Sequence, residues 1–191
     1  MKLNTLLHEI RACRICEAHL ELGPRPVVTA HEDAVVAIIG QAPGTRVHAS
    51  GVPWDDMSGD RLRDWMGVDR EFFYESTALA IIPMGFCFPG SGKSGDLPPR
   101  KECAPQWHEQ LFVHLPNLKL IMLVGSYAQK HYLGKRWKKN LTETVRHYHE
   151  YLPTYFPIVH PSPRNKIWQK KNPWFAEEVL PELKSHLADI L

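Results

Sequence analysis

The sequence has no long apolar run, and no stretch approaches the roughly 20 consecutive apolar residues that a membrane-spanning helix requires. Its first residues, Met1 to Glu9, lack the uninterrupted apolar stretch of a secretory signal peptide. We therefore expect a cytoplasmic protein with no membrane partner. The chain also lacks internal repeats and linker-like segments, so we expect one domain over residues 1–191 and a monomer.

An excess of charge of one sign is also missing, because the formal net charge is only +2. The basic residues are nevertheless clustered, and the segments at residues 135–139 and 164–171 both contain tryptophan. Basic runs interleaved with aromatics suit phosphate contacts and base stacking. Two solvated surface loops are the alternative interpretation.

Strands and helices alternate along the sequence. Short apolar runs predict strands at residues 34–39, 77–82, 118–124 and 154–159. Helical spacing predicts helices near the N-terminus and at residues 58–66, 103–115, 126–133 and about 173–190. This alternation is typical of α/β proteins, so we expect a three-layer α/β/α sandwich around a central, mostly parallel four-stranded sheet.

Two predicted strands end in distinctive loops, Gly40-Gln41-Ala42-Pro43-Gly44 and His160-Pro161-Ser162-Pro163. Ligands of such sheets bind beyond the carboxyl ends of the strands, so the two loops are expected to face a common cleft. The Gly/Ser/Lys/Pro-rich stretch at residues 89–99 predicts a long surface loop.

Cysteine is scarce, and its four positions are Cys13, Cys16, Cys87 and Cys103. In a chain expected in the cytoplasm, this number favours a metal or cluster over a disulfide framework. The C-x-x-C pair can supply two thiolates, and the distant cysteines can complete ligation of a four-iron four-sulfur cluster or of zinc. Spacing alone leaves both groups open, as well as four buried free thiols.

Five motifs follow one another in a fixed order. They are Cys13-x-x-Cys16, Gly40-Gln41-Ala42-Pro43-Gly44, Gly51-Val52-Pro53-Trp54, the pair Cys87 and Cys103, and His160-Pro161-Ser162. In this order they resemble the iron–sulfur uracil-DNA glycosylases, families four and five of the uracil-DNA glycosylase superfamily. The resemblance implies a monofunctional DNA-repair hydrolase that removes uracil or a related deaminated base from DNA. It also implies that the four cysteines hold a four-iron four-sulfur cluster, with zinc as the less favoured alternative.

The resemblance also assigns a base pocket. A glycosylase flips the base out of the stack and holds it while water attacks the sugar. We expect His160 to donate a hydrogen bond to the base oxygen where charge develops, a contact worth about 3 kcal/mol. Trp54, at a position where these families usually have phenylalanine, is expected to stack on the base, although a core tryptophan is the alternative. Gly40, Gln41 and Ala42 complete the expected pocket.

A carboxylate is expected to orient the water and to stabilise positive charge on the sugar. Family four has a glutamate at the position of Gln41, whose amide cannot act as a base, so Gln41 is expected to be an auxiliary group. Family five has an aspartate in a D-A-S-G segment, which Asp56-Met57-Ser58-Gly59 matches. Asp56 is therefore the expected catalytic carboxylate, and Asp55 is the alternative. A purely structural role for Asp56, ahead of a helix capped by Ser58, is the competing interpretation.

The second predicted strand departs from family four, which usually carries there an asparagine that reads uracil. The matching stretch is Ser76 to Leu79, and Ala78 takes its place in the base-binding region. Without that amide, shape and backbone hydrogen bonds must select the base, so weak discrimination between deaminated bases is expected.

The run after His160 resembles the loop that wedges into the duplex. Ser162, Arg164, Asn165 and Lys166 are the expected DNA contacts, with the two basic residues on phosphates. Two other functions remain open at this point. One is a non-catalytic nucleic-acid-binding protein of the same fold, and the other is a hydrolase of free nucleosides or nucleotides.

Overall fold

The computed structural model of the protein describes residues 2–93 and 95–191. Its strands are β1 (Val36–Ile39), β2 (Leu79–Ile81), β3 (Ser91–Gly92), β4 (Gly95–Asp96), β5 (Leu120–Val124) and β6 (Tyr155–Ile158). Its α-helices are α1 (Leu3–Arg11), α2 (Thr45–Ser50), α3 (Met57–Met66), α4 (Arg70–Glu75), α5 (Cys103–Val113), α6 (Ser126–Leu133), α7 (Leu141–Arg146), α8 (Lys166–Lys171) and α9 (Leu180–Ile190). A π-helical segment, Phe175–Val179, runs directly into α9.

The central sheet contains four parallel strands in the order β2-β1-β5-β6. Ala37 of β1 is in register with Ala80 on one side and Ile121 on the other. The chain passes from β1 to β2 at one edge and then returns to the other side of β1 with β5. This reversal of direction opens a crevice at the carboxyl ends of β1 and β5, where sheets of this type bind ligands.

Side chains alternate between the two faces of the sheet, as the two-residue period of a strand requires. Val36 and Ile38 pack with α3 and α9 on one face. Ala37 and Ile39 pack with α1, α5 and α6 on the other. Both faces are therefore covered by helices, which confirms the predicted α/β/α sandwich and its parallel sheet.

The loops differ from the prediction more than the sheet does. Residues 89 and 90, at the start of the predicted surface loop, are buried, as is the preceding segment 82–88. Within the predicted surface loop at 89–99, β3 and β4 form a short antiparallel hairpin that pairs Ser91 with Asp96; Ser94 in that loop lies outside the described residues. The basic segment after Asn165 forms α8 rather than a loop. Helices α2, α4 and α7, of six residues each, were not predicted because they are too short to show an apolar period.

Within residues 2–93 and 95–191, no helix combines the length and the apolar character needed to cross a membrane.

Candidate active site

A cavity of about 480 Å³ opens at the carboxyl edge of the sheet. The loop after β1 and the loop after β6 both line it, so the predicted common cleft is present. The segment leading into α3 forms another wall. The predicted site residues on its surface are Gly40, Gln41, Ala42, Trp54, Asp56, His160, Ser162, Arg164 and Asn165.

Trp54 is held in one wall of this cavity by an unusual backbone. Its φ of 57° lies in the left-handed region, which non-glycine residues rarely adopt and which is often found at functional sites. A Cβ at Gly59 would lie 1.7 Å from the Trp54 carbonyl oxygen, and a Cβ at Gly40 would lie 2.8 Å from the indole Cζ2. Glycine is therefore required at both positions, and the indole is fixed against the loop after β1. Trp54 therefore lines the cavity and also packs partly against the core.

A buried arginine that sequence reasoning missed holds the Trp54 backbone. Arg63 donates to the Trp54 carbonyl oxygen at 3.3 Å and to the Tyr74 hydroxyl at 3.1 Å. Its other nitrogen donates to Asp60 Oδ1 at 2.5 Å. Arg63 lies nearly two helical turns into α3, and nothing in the local sequence shows that its side chain turns back toward residue 54.

His160 lies next to Trp54, with ring centroids 5.5 Å apart. Its Nδ1 accepts a hydrogen bond from the Ser162 N–H at 3.1 Å, so the neutral ring carries its proton on Nε2. Asn165 Nδ2 donates to the His160 carbonyl oxygen at 2.8 Å and fixes the loop. Burial lowers the pKa of His160 to about 4, and the Asp56 carboxylate opposes that change. His160 is therefore a neutral hydrogen-bond donor at physiological pH.

Because His160 is neutral in the folded protein, we expect the free energy of unfolding to fall in acid. His108, buried between Phe86 and Tyr132, also has its pKa lowered to about 4 by burial. Between about pH 6.5 and 4 the unfolded chain binds protons that the folded chain excludes, so stability must fall as the pH falls. We expect each histidine to remove roughly 2 kcal/mol from the free energy of unfolding between pH 7 and pH 5.

Urea denaturation of wild-type, His160→Asn, His108→Asn and doubly substituted protein, each at pH 7 and pH 5, measures this dependence. The difference between the two pH values is the readout, because the substitutions also change stability at neutral pH. Each single variant should lose part of the wild-type pH dependence. An unchanged dependence in the double variant would contradict the prediction.

Asp56 lies on the cavity surface and also caps α3. Its Oδ1 accepts from the Gly59 N–H at 2.9 Å, so the aspartate itself, rather than Ser58, is the N-cap. The capping role and the cavity position therefore occur together. Asp55 instead forms an ion pair with Arg70 at 2.9 Å and does not line the cavity. The Arg70 guanidinium lowers the pKa of Asp55 through this hydrogen bond.

Ala78 is not brought to the cavity, and its expected base contact must be corrected. It precedes β2 at the amino edge of the sheet, where its carbonyl oxygen accepts from Val35 N at 2.9 Å and Val36 N at 3.1 Å. The carboxyl end of the same strand reaches the cavity through Ile81 and Pro83. The prediction chose the wrong end of this strand, but neither of these two residues has a polar side chain either.

A second carboxylate, which sequence reasoning missed, lies at the cavity. Asp96 of β4 lines the cavity with Gly95 and Arg164. Partial burial raises the pKa of Asp96, while the charge of Arg164 opposes the change and that of Asp56 adds to it. The Gly/Ser-rich sequence around residue 96 reads as an ordinary surface loop, so only the hairpin pairing brings this aspartate to the site.

The loop after β6 carries the predicted DNA contacts in two groups. Ser162, Arg164 and Asn165 line the cavity, whereas Lys166 begins α8 outside its lining and is exposed. Next to it, the Ile167 side chain is 68% exposed, which is unusual for an isoleucine. Gln41, on the opposite loop, donates to the Leu97 carbonyl oxygen at 3.4 Å.

The four cysteines converge although they come from distant parts of the sequence. Cys13 and Cys16 follow α1, Cys87 lies in the buried segment after β2, and Cys103 begins α5. All are free thiols, and all line one small cavity together with Phe86 and Trp107. Burial raises the pKa of the Cys87 thiol to about 12 and that of Cys103 to about 11. Over the described part of the chain, no three His, Cys, Asp or Glu side chains approach closely enough to bind a single metal ion.

A comparison with protein families identifies the superfamily of the chain. The family model described as the uracil DNA glycosylase superfamily matches residues 27–184. The matched region contains the whole cavity lining described above, from Val27 to Asn165.

Proposed function

The chain belongs to the uracil-DNA glycosylase superfamily, and from this premise we propose that it removes uracil or a related deaminated base from DNA by hydrolysis. The observation that carries the proposal is the cavity in which an indole, a neutral imidazole and a carboxylate come together. Trp54, His160 and Asp56 reach it from separate parts of the chain. These are the groups that a glycosylase needs for stacking, for leaving-group stabilisation and for water activation.

The flipped base would enter the cavity that Trp54 and the loop after β1 both line. Gly40 and Ala42 have little or no side chain, so the backbone of that loop can approach the base closely. Stacking on an aromatic face contributes about 1–3 kcal/mol per base and does not depend on which base is present. The pocket therefore favours any planar base that fits its shape.

His160 would act on the leaving base. As the glycosidic bond breaks, negative charge develops on a base oxygen, and the Nε2–H of a neutral imidazole can donate to it. The backbone N–H of Ser162 fixes the ring orientation that this requires. A preorganised donor of this kind costs no reorientation during the reaction, which is why such groups contribute strongly to rate.

Asp56 would act on the sugar side of the bond. One carboxylate oxygen is occupied by the helix cap, and the carboxylate has a second oxygen that can orient a water molecule. Its negative charge also favours a sugar that becomes cation-like in the transition state. Asp55, paired with Arg70 away from the cavity, is not placed for either task.

The DNA backbone would lie across the loop after β6. Arg164 and Lys166 are suited to phosphate contacts, and Asn165 braces the loop through the His160 carbonyl. Ile167 is an exposed apolar side chain among these basic residues. Side chains of this type insert between bases in many DNA complexes, so we assign Ile167 as the wedge that fills the gap left by the flipped base.

We also propose that Cys13, Cys16, Cys87 and Cys103 hold a four-iron four-sulfur cluster. The four thiols line one small cavity whose other walls are mainly apolar, with Leu20, Phe86 and Trp107 among them, and four cysteine thiolates are the usual ligands of such a cluster. A cluster takes one thiolate at each of its four irons and so spreads its ligands more widely than a single tetrahedral zinc does. When bound, it would join the end of α1 to the start of α5 and to the segment after β2.

A direct assay tests the proposed function against its two competitors. Incubation with single- and double-stranded oligonucleotides containing uracil should release the free base and leave an abasic site. Deoxyuridine and deoxyuridine monophosphate should remain intact, because neither supplies the DNA backbone contacts. Cleavage of the free nucleosides would indicate a nucleoside hydrolase. Binding of DNA without base release would indicate a non-catalytic protein.

Substrate breadth is expected to be wide. Ile81 and Pro83, at the carboxyl end of β2, line the cavity without a polar side chain, so β2 supplies no amide to read the base edge. A pocket without that amide leaves no buried group unpaired when another base enters, so it rejects alternatives weakly. We expect removal of hypoxanthine or another deaminated base at a rate within about a hundredfold of that for uracil, under roughly 3 kcal/mol of discrimination. Single-turnover rates on matched oligonucleotides with uracil, hypoxanthine or xanthine check this, and activity confined to uracil would contradict it.

A further inference from the structure

A second and larger cavity, of about 730 Å³, lies beside the active-site cavity and takes no part in the chemistry proposed above. We name it the Tyr127 groove. Its walls are mainly apolar, and they include Met84, Leu97 and several prolines. The Tyr127 side chain is 40% exposed, which leaves part of its ring free to contact a ligand.

The Tyr127 groove carries positive charge. Lys101 and Lys130, both exposed, lie on its surface, as does Arg100. The Arg100 guanidinium is already paired with Glu102 at 2.6 Å, so the two lysines supply most of the available charge. Lys130 also lies 5.6 Å from the centre of the Trp137 ring. Among the described residues that line the groove, none is acidic.

The groove shares a wall with the active-site cavity. Met84 N donates to the carbonyl oxygen of Gly40 at 2.9 Å, so a groove residue is bonded directly to the loop after β1. Gln41 on the same loop donates to the Leu97 carbonyl oxygen. Gly125, two residues before Tyr127, caps the start of α6. A Cβ at Gly125 would lie 3.7 Å from the Cβ of His160. A strand whose flipped base occupies the cavity therefore has the groove next to it.

We infer that the Tyr127 groove binds an unpaired nucleotide of the substrate strand adjacent to the removed base, with its base against Tyr127 and its phosphates near Lys101 and Lys130. The inference rests on the proposed function. An aromatic side chain in an apolar groove with a basic rim is the arrangement that binds single-stranded nucleic acid. A base within a duplex has both faces stacked and cannot enter such a groove. The protein should therefore gain affinity from an unpaired neighbouring nucleotide.

The test measures binding of a fluorescent single-stranded oligonucleotide that contains no damaged base, so that it does not depend on catalysis. Tyr127→Ala should weaken the affinity about tenfold, because one stacked base is lost. Tyr127→Phe keeps the ring and should bind as the wild type does. The double variant Lys101→Gln/Lys130→Gln should lower the slope of log Kd against log salt by about 1.4, the value for two lost phosphate contacts on a single strand.

Lys119→Gln is the matched charge control, because Lys119 is exposed at the amino edge of the sheet, away from both cavities. It should leave affinity and salt slope nearly unchanged. The same Tyr127→Ala substitution should change affinity for a fully paired duplex by less than twofold. Equal losses on duplex and single strand, or no loss on either, would overturn the inference and leave the groove to another partner such as a proline-rich peptide.

The two proposals fail in different ways. If the wild-type protein binds single strands through Tyr127 but releases no base, nucleotide binding in the groove is supported and the proposed glycosylase activity is refuted. Base release that is unaffected by Tyr127→Ala, with unchanged single-strand affinity, would refute the groove alone. Wild-type protein that binds no DNA would refute both.

Discussion

Replacing Asp56 by asparagine should lower the single-turnover rate of base removal by about 10²–10⁴, the effect of removing a positioned acid/base or electrostatic group. The substitution removes the negative charge but keeps an oxygen that can accept from the Gly59 N–H. Asparagine is as good an N-cap as aspartate, so α3 and the Trp54 backbone next to it should be preserved. The expected loss is therefore one of rate with little change in thermal stability.

Asp55→Asn is the matched control, because Asp55 is the adjacent carboxylate and is paired with Arg70 outside the cavity. Its rate should stay close to that of the wild type. His160→Ala should lose rate to a similar extent as Asp56→Asn, whereas Gln41→Ala should lose less. Full activity in Asp56→Asn would show that Asp56 is not the catalytic carboxylate. Asp96, on the hairpin that also lines the cavity, would then be the next carboxylate to replace.

The sheet could be predicted from sequence because its strands are short and buried on both faces. Every residue of β1 is buried, so its apolar run stands out from the surrounding polar sequence. The ends of β1 and β6 were predictable for the same reason. The first apolar run stops at Gly40 and the last stops at His160. Their arrival at one cavity follows from the parallel direction of the strands.

The remaining site residues depend on contacts that leave no local pattern. Ala78 was assigned to the pocket from its place in a motif, but the strand runs past it and delivers Ile81 and Pro83 instead. Asp96 reaches the cavity only because a short hairpin folds over it. Arg63 is read as an ordinary charge on a helix, although its side chain is buried beneath Trp54. Each of these placements is set by tertiary packing rather than by spacing.

Replacing Cys103 by serine should remove the cluster and much of the stability of the fold. Wild-type protein purified without oxygen is expected to be brown and to contain about four irons per chain, as the proposed ligand set requires. Serine keeps the size of the side chain but does not supply the thiolate. The variant should therefore lose its visible absorbance, its iron and its sulfide, and should unfold at a markedly lower temperature.

The position of Cys103 explains why the structural loss should be large. It starts α5 and is packed in the same core cluster as Leu6 and Ile10 of α1. The N-terminal segment beyond α1 contains little regular structure, and Cys13 and Cys16 are its expected anchors to the rest of the chain. Metal-linked segments of this kind gain much of their folding free energy from the bound group. Cys13→Ser should therefore behave as Cys103→Ser does.

Val113→Ser on the same helix is the control, because its side chain is 75% exposed and a polar replacement there should be tolerated. It should retain colour, iron and unfolding temperature. Stoichiometric zinc without iron or sulfide in anaerobic wild-type protein would refute the cluster and leave a four-thiolate metal site in its place. Wild-type protein that is stable with neither metal would refute both, and the four cysteines would then be buried free thiols whose convergence serves packing alone.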